Sequence, residues 1–173
     1  MRTKQIFNTM NIVSWIVFIG YCIKAGAITL VALLSVFGNK NATENLYMGI
    51  DLSKLYDLSV GHFACVVIAL VVLAGLKAYI FYLLIKIFKR MDFSKPFSRP
   101  VMQLIFKISY VALSVGLIGA VAKTYMTWLS SKVVFTQIDL GASAYIFMAG
   151  VVFIVAALFK RAIEIQSENE LTI

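Results

Sequence analysis

Four stretches of continuous apolar sequence, at about 11–37, 61–87, 101–130 and 140–159, constrain this chain more than anything else in it. Each is long enough to cross a hydrocarbon core of about 30 Å, which takes roughly 20 helical residues. None alternates polar with apolar, and all far exceed the roughly ten-residue strands of a membrane barrel. The expected fold is therefore all-α, a polytopic membrane protein whose residues 1–173 form a single four-transmembrane-helix bundle. With 61% hydrophobic and 14% charged residues, the chain carries more apolar surface than a soluble domain of this size can bury.

Sixteen Lys and Arg against eight Asp and Glu leave a net charge of +8. In a soluble protein that balance would suggest nucleic acid. Here it sorts by side. The loop 88–100 and its flanks carry Lys86, Lys89, Arg90, Lys95 and Arg99 against Asp92, on the same side as Arg2, Lys4, Lys160 and Arg161. The loop 38–60 and the turn after the third span hold Lys40, Lys54 and Lys132, offset by Glu44, Asp51, Asp57 and Asp139. Nine cations against three predict an N-in, C-in topology in the bacterial inner membrane, with both termini cytoplasmic. The charge then calls for no direct contact with nucleic acid. Arg2 and Lys4 precede an apolar run too long for a signal-peptide core and without a small-x-small cleavage pattern, so the first helix is expected to stay attached.

The outer loop 38–60 is the one long connection. Ile50, Leu55 and Leu58 fall roughly on one side of its middle, predicting a short helix lying in the membrane interface. Trp15, Tyr47, Tyr56 and Trp128 fall near span boundaries and read as interfacial anchors. Pro100 suits the first turn of the third helix, where a missing N–H costs little. Phe97, apolar in a basic loop, is expected to tuck against the bundle or into the headgroups.

The least expected residues are lysines inside the spans. At about 1.5 Å per residue, Lys24 lies roughly 20 Å into the first span and Lys77 roughly 15 Å from the cytoplasmic end of the second, while Lys123 is close to the outer boundary and Lys107 close to the inner one. A lysine at mid-span costs about 2.5 to 3.5 kcal/mol on insertion scales. No Asp or Glu occurs within any span to offset it. Gly20 and Ala27 share a helical face with Lys24, as Gly116, Gly119 and Ala120 do with Lys123, and small residues mark close helix contacts. Lys24, Lys77 and Lys123 are therefore expected to point inward and form a candidate anion site.

Other chemistry is sparse. His62 is the single histidine and reads as an interfacial residue, since a metal site needs three or four ligands. Cys22 and Cys65 read as buried thiols within spans. No phosphate-cradling glycine loop, zinc-protease helix or nucleophile–base pair is present, so neither catalysis nor a cofactor is expected. The tail 160–173 changes character abruptly, with two cations at the membrane edge and then acids on a helical extension. Glu164 and Glu168 lie one turn apart on one face, either as a solvated helix end folded onto the basic loop or as a docking handle.

Two segments carry a resemblance: Phe88-Lys89-Arg90-Met91-Asp92-Phe93-Ser94-Lys95-Pro96-Phe97-Ser98, a basic stretch leading into a Pro-Phe turn, and Ile165-Gln166-Ser167-Glu168-Asn169-Glu170-Leu171-Thr172-Ile173, a polar-acidic run closing in Leu-Thr-hydrophobic. Together they resemble an uncharacterised bacterial family of four-helix integral membrane proteins, domain of unknown function 2975, with a likeness in topology over the whole chain. Ala162 stands where that family has glycine after the basic pair, and a continuous helix accommodates it. The resemblance implies no catalytic residues. It does imply a partner, because genes of the family often lie beside a small helix-turn-helix regulator of the Cro/repressor type. On that reading the protein is a non-enzymatic interaction partner of a cytoplasmic transcription factor. The contact surface would be Lys89, Arg90, Pro96, Phe97, Glu164, Gln166, Glu168, Glu170, Leu171 and Thr172. The alternative is a small bundle that binds or transports an anion or a lipid headgroup through its intramembrane lysines. The lipid bilayer is a partner on both readings, and homo-oligomerisation stays open.

Overall fold

The computed structural model describes residues 2–38, 40–91, 97–136 and 138–170, with side chains over 5–38, 41–91, 97–136 and 138–168. Within them all regular structure is helical: α1 (Arg2–Phe37), a 3-10 turn (Lys40–Asn45), α2 (Ser53–Leu58), α3 (Val60–Arg90), α4 (Arg99–Ser130) and α5 (Ala142–Glu170). α1, α3, α4 and α5 are the four helices long and apolar enough to cross a membrane. The protein is accordingly a membrane protein. Stray hydroxyls inside these helices satisfy themselves locally. Ser14, Thr29, Ser35, Ser114 and Thr124 each donate to the carbonyl four residues back at 2.8–3.0 Å, which lets them sit in hydrocarbon without a partner helix. Pro100 occupies the first turn of α4, as expected.

The four long helices pack as a row. α1 packs on α3, α3 on α4 and α4 on α5, while α1 and α5 make no close backbone contact among the described residues. Close approach of α5 to α4 depends on two glycines. A Cβ on Gly116 would lie 2.5 Å from Ile146 Cγ1 and 3.2 Å from the Ala142 carbonyl oxygen, and one on Gly119 would lie 3.3 Å from Ala142 Cβ. Ser109 adds an inter-helix hydrogen bond, its hydroxyl donating to the Ala149 carbonyl at 2.9 Å. Residue 116 and residue 119 thus face α5, and Lys123 does not follow them inward. It is exposed.

The same contacts fix a depth. Ala142 opposes Gly119, about 16 Å below the last residue of α4 at 1.5 Å per residue. The chain therefore leaves α4 at Ser130, turns, and descends irregularly alongside the bundle before α5 begins. Gly141, at φ 66, makes the final bend into the helix, and Asp139 Oδ1 accepts its N–H at 2.9 Å. Phe135 and Leu140 are buried along the way, as non-helical backbone at this depth requires.

Above this level the two loops form a folded cap. Thr43, Leu46, Leu52 and Leu55 are almost fully buried. The turn at Met48 and Gly49, both at positive φ, is held by the Gly49 N–H donating to Asn45 Oδ1 at 3.0 Å, and the Leu52 N–H reaches the Thr43 carbonyl at 3.0 Å. The loops are stitched together where the Thr136 N–H donates to the Asp51 carbonyl at 3.3 Å and the Asp51 N–H to Thr136 Oγ1 at 3.2 Å. Two hydrogen bonds from Ser53, through its hydroxyl at 2.7 Å and its N–H at 2.9 Å, hold the Asp51 carboxyl below its ordinary range.

Two expectations are corrected here. The short helix exists, but its inner face is not the expected one: Leu52 and Leu55 are buried while Leu58 is 44% exposed. Six helical residues present only one turn, so the residue capping its start and the one three further on decide the inner face. Cys22 and Cys65 are exposed rather than buried. Lipid-facing positions are as apolar as core ones, so hydrophobicity did not separate the two.

Candidate functional site

Lys77 of α3 and Lys24 of α1 come together at the middle of the molecule. Lys77 Nζ donates to the Leu140 carbonyl at 3.1 Å and lies 4.8 Å from the centre of the Tyr145 ring. Lys24 Nζ lies 5.7 Å from the Tyr47 ring centre. The two ammonium groups are within electrostatic range of each other, and Asp139 reaches Lys77 from the descending segment. Tyr21, one turn before Lys24 on the same face, stacks on Phe81 of α3 at 6.0 Å and brings its hydroxyl against that of Tyr145. Five parts of the chain therefore meet: α1, the first cap loop, α3, the descending segment and α5. Both lysines are half-buried.

The physical logic is one of incomplete compensation. Lys77 has a carbonyl, an aromatic face and a carboxylate nearby; Lys24 has an aromatic face and a like charge. Aromatic faces attract a cation by about 0.5–2 kcal/mol, less than the roughly 2.5 to 3.5 kcal/mol that a mid-span lysine costs on insertion scales. For Lys24, whose contact is an aromatic face alone, that compensation falls short of the cost.

Lys123 stands apart. It lines an open recess of about 250 Å³ with Met126, Thr127, Ile138 and Asp139. Asp139 is the link, since it borders this recess and also acts on Lys77. Tyr47 lies by Lys24, while Trp128 sits under Lys132 Nζ at 3.9 Å and Trp15 under Lys89 Nζ at 5.5 Å. His62 Nδ1 is hydrogen-bonded to the Tyr125 hydroxyl at 2.6 Å and edges onto Trp128.

Tyr21, Asp139 and Tyr145 were missed by the sequence reading. Tyr21 was findable, being three residues from Lys24 on one helical face. Asp139 and Tyr145 were not, because they reach Lys77 only through the descent of residues 131–141.

At the opposite, basic end, Phe97 packs edge-on to Phe159 at 5.2 Å, which ties the turn before α4 to α5, against the bundle as expected. Lys89 and Arg90 are exposed at the end of α3. α5 continues unbroken to Glu170; Glu164 pairs with Arg161 at 3.3 Å, Gln166 is half-exposed and Glu168 exposed. Pro96, Leu171 and Thr172 lie outside the described residues, as does the side chain of Glu170.

The family described as "Protein of unknown function (DUF2975)" matches residues 51–173. The chain belongs to this family. No curated protein and no solved structure matches it at a significant level. The matched range of this DUF2975 chain holds Lys77, Lys123, Asp139 and Tyr145, and both segments on which the resemblance rested. Tyr21, Lys24 and Tyr47 precede it.

Proposed function

We propose that this DUF2975 protein is a non-enzymatic membrane protein that binds an anion between Lys24 and Lys77. The observation that carries this reading is the convergence of two ammonium groups from different helices at mid-span, with the spans supplying no acid. An anion seated between them would convert a mutual repulsion into two attractions and offset the desolvation that each lysine bears. Tyr47 and Tyr145 would frame it, with hydroxyls available as donors. By the positive-inside rule the basic end faces the cytoplasm, both termini are inside and the cap lies outside the inner membrane.

Thermal unfolding of the purified protein in neutral detergent tests the reading. An anionic ligand should raise the unfolding temperature of the native chain and not that of Lys24→Met/Lys77→Met. Equal stabilisation of both would remove it.

A second reading is favoured by the Phe97–Phe159 contact, which makes the basic turn and the helical tail one cytoplasmic surface. α5 runs about 16 Å past Phe159 at 1.5 Å per residue, enough to reach a soluble partner such as a helix-turn-helix regulator. Co-purification from cells expressing this protein with a small helix-turn-helix regulator of the Cro/repressor type tests it. Loss of that capture on replacing Phe97 and Glu164 would support it, and no capture from cells expressing both proteins well would refute it.

A further inference from the structure

We infer that the anion is the phosphate headgroup of an acidic membrane lipid, admitted sideways through the seam between α1 and α5. This rests on the anion-binding reading above and adds to it a ligand source and a route.

The seam follows from the packing order. α1 and α5 end the row, and only 11% of the most apolar stretch of each is buried within the molecule, against 44% and 39% for α3 and α4. At the level of the site Tyr21 of α1 comes within interaction range of Tyr145 of α5. Parting α1 from α5 there exposes little apolar surface that is not already turned to lipid. The capped end is different. Leu46, Leu52 and Leu55 are buried to within 1% of their surface, the loops are stitched at Asp51 and Thr136, and Leu140 is clamped by Lys77 itself. A small aqueous anion arriving through the cap loops must unmake that packing, whereas a lipid in the adjoining leaflet enters where α1 and α5 make no close backbone contact.

Depth is consistent with this route. α1, with 36 residues, is about 54 Å long at 1.5 Å per residue, well beyond a core of about 30 Å, so both of its ends project. The descending segment also carries polar backbone down to Lys77. A headgroup arriving at this level meets Lys77 beside the Leu140 carbonyl, while its acyl chains stay in the bilayer outside the seam.

Native mass spectrometry of delipidated protein, with phosphatidylglycerol, phosphatidylcholine or inorganic phosphate added in turn, tests the proposal. Phosphatidylglycerol should be retained as one or two copies. Lys24→Met should bind it at least about tenfold more weakly, as loss of a half-buried charge contact predicts. Tyr21→Phe, which keeps the ring and the fold, should exchange labelled lipid several-fold faster, as removal of a latch predicts. Phosphatidylcholine and inorganic phosphate should bind weakly. Binding of inorganic phosphate as tightly as the acidic lipid, lost with Lys24, would overturn the lipid source and leave an anion site standing. Phosphatidylglycerol retention unchanged in both Lys24→Met and Lys77→Met would overturn the lipid proposal and the anion site together. Lysine-dependent lipid binding with exchange unaltered in Tyr21→Phe would overturn the route.

Discussion

Lys24 and Lys77 look alike in sequence, and their surroundings make them unequal. Lys77 donates to the Leu140 carbonyl, on backbone that has no helical partner at that depth. Lys77→Met leaves this acceptor unsatisfied, a loss of about 1–3 kcal/mol for a buried polar group. Lys24 makes no such bond; its aromatic contact at 5.7 Å is balanced by repulsion from Lys77. In ligand-free detergent, Lys24→Met should therefore leave the unfolding temperature unchanged or raised, and Lys77→Met should lower it by several degrees. Equal losses would mean that the two lysines are held alike. That both lysines matter was legible in the sequence, since charge without an acid stands out in an apolar run. Their partners were not, because Asp139 lies more than 60 residues from Lys77 and no periodicity links them.

At the scale of elements, the spans were readable because nothing but a helix satisfies its own backbone in hydrocarbon. Where α5 would begin was harder. Apolar sequence resumes at Leu140, which reads as a helix start at the outer surface, yet Gly116 and Gly119 seat Ala142 well below the end of α4. Gly116→Ala should be costly, on the order of 1–3 kcal/mol for overpacking, since its Cβ would meet Ile146 backbone as well as side chain. Gly20→Ala meets nothing within 4 Å and serves as the control, expected to be neutral or slightly stabilising. Equal effects in thermal unfolding would argue against the α4–α5 seat. The cap makes a pH prediction. Asp51 is held below its ordinary 3.8 by Ser53, so its contribution is fully present above that value and is lost as the pH falls through the depressed one. Amide exchange over residues 43–58 should therefore accelerate selectively below about pH 4. Asp51→Asn, which keeps an acceptor, should flatten that dependence.

Seen whole, the molecule is polarised. One end is a packed cap with acids and cations mixed; the other is a basic rim where α3 ends in Lys89 and Arg90 and α5 passes Lys160 and Arg161. The bias of lysine and arginine in short loops sets orientation more strongly than net charge does, so the rim should be cytoplasmic. Labelling can decide this because the native thiols are separable. Cys22 and Cys65 sit on exposed faces of α1 and α3 inside the spans, and alanine at either position buries nothing and breaks no bond. In that cysteine-free background, Met48→Cys, at a position 86% exposed in the cap turn, should react with an impermeant maleimide on intact cells. Ser167→Cys, exposed on the extension of α5, should react only after lysis. The reverse pattern would place the basic rim outside. It would also move the tail surface away from any cytoplasmic regulator while leaving the contacts of Lys24 and Lys77 chemically unchanged.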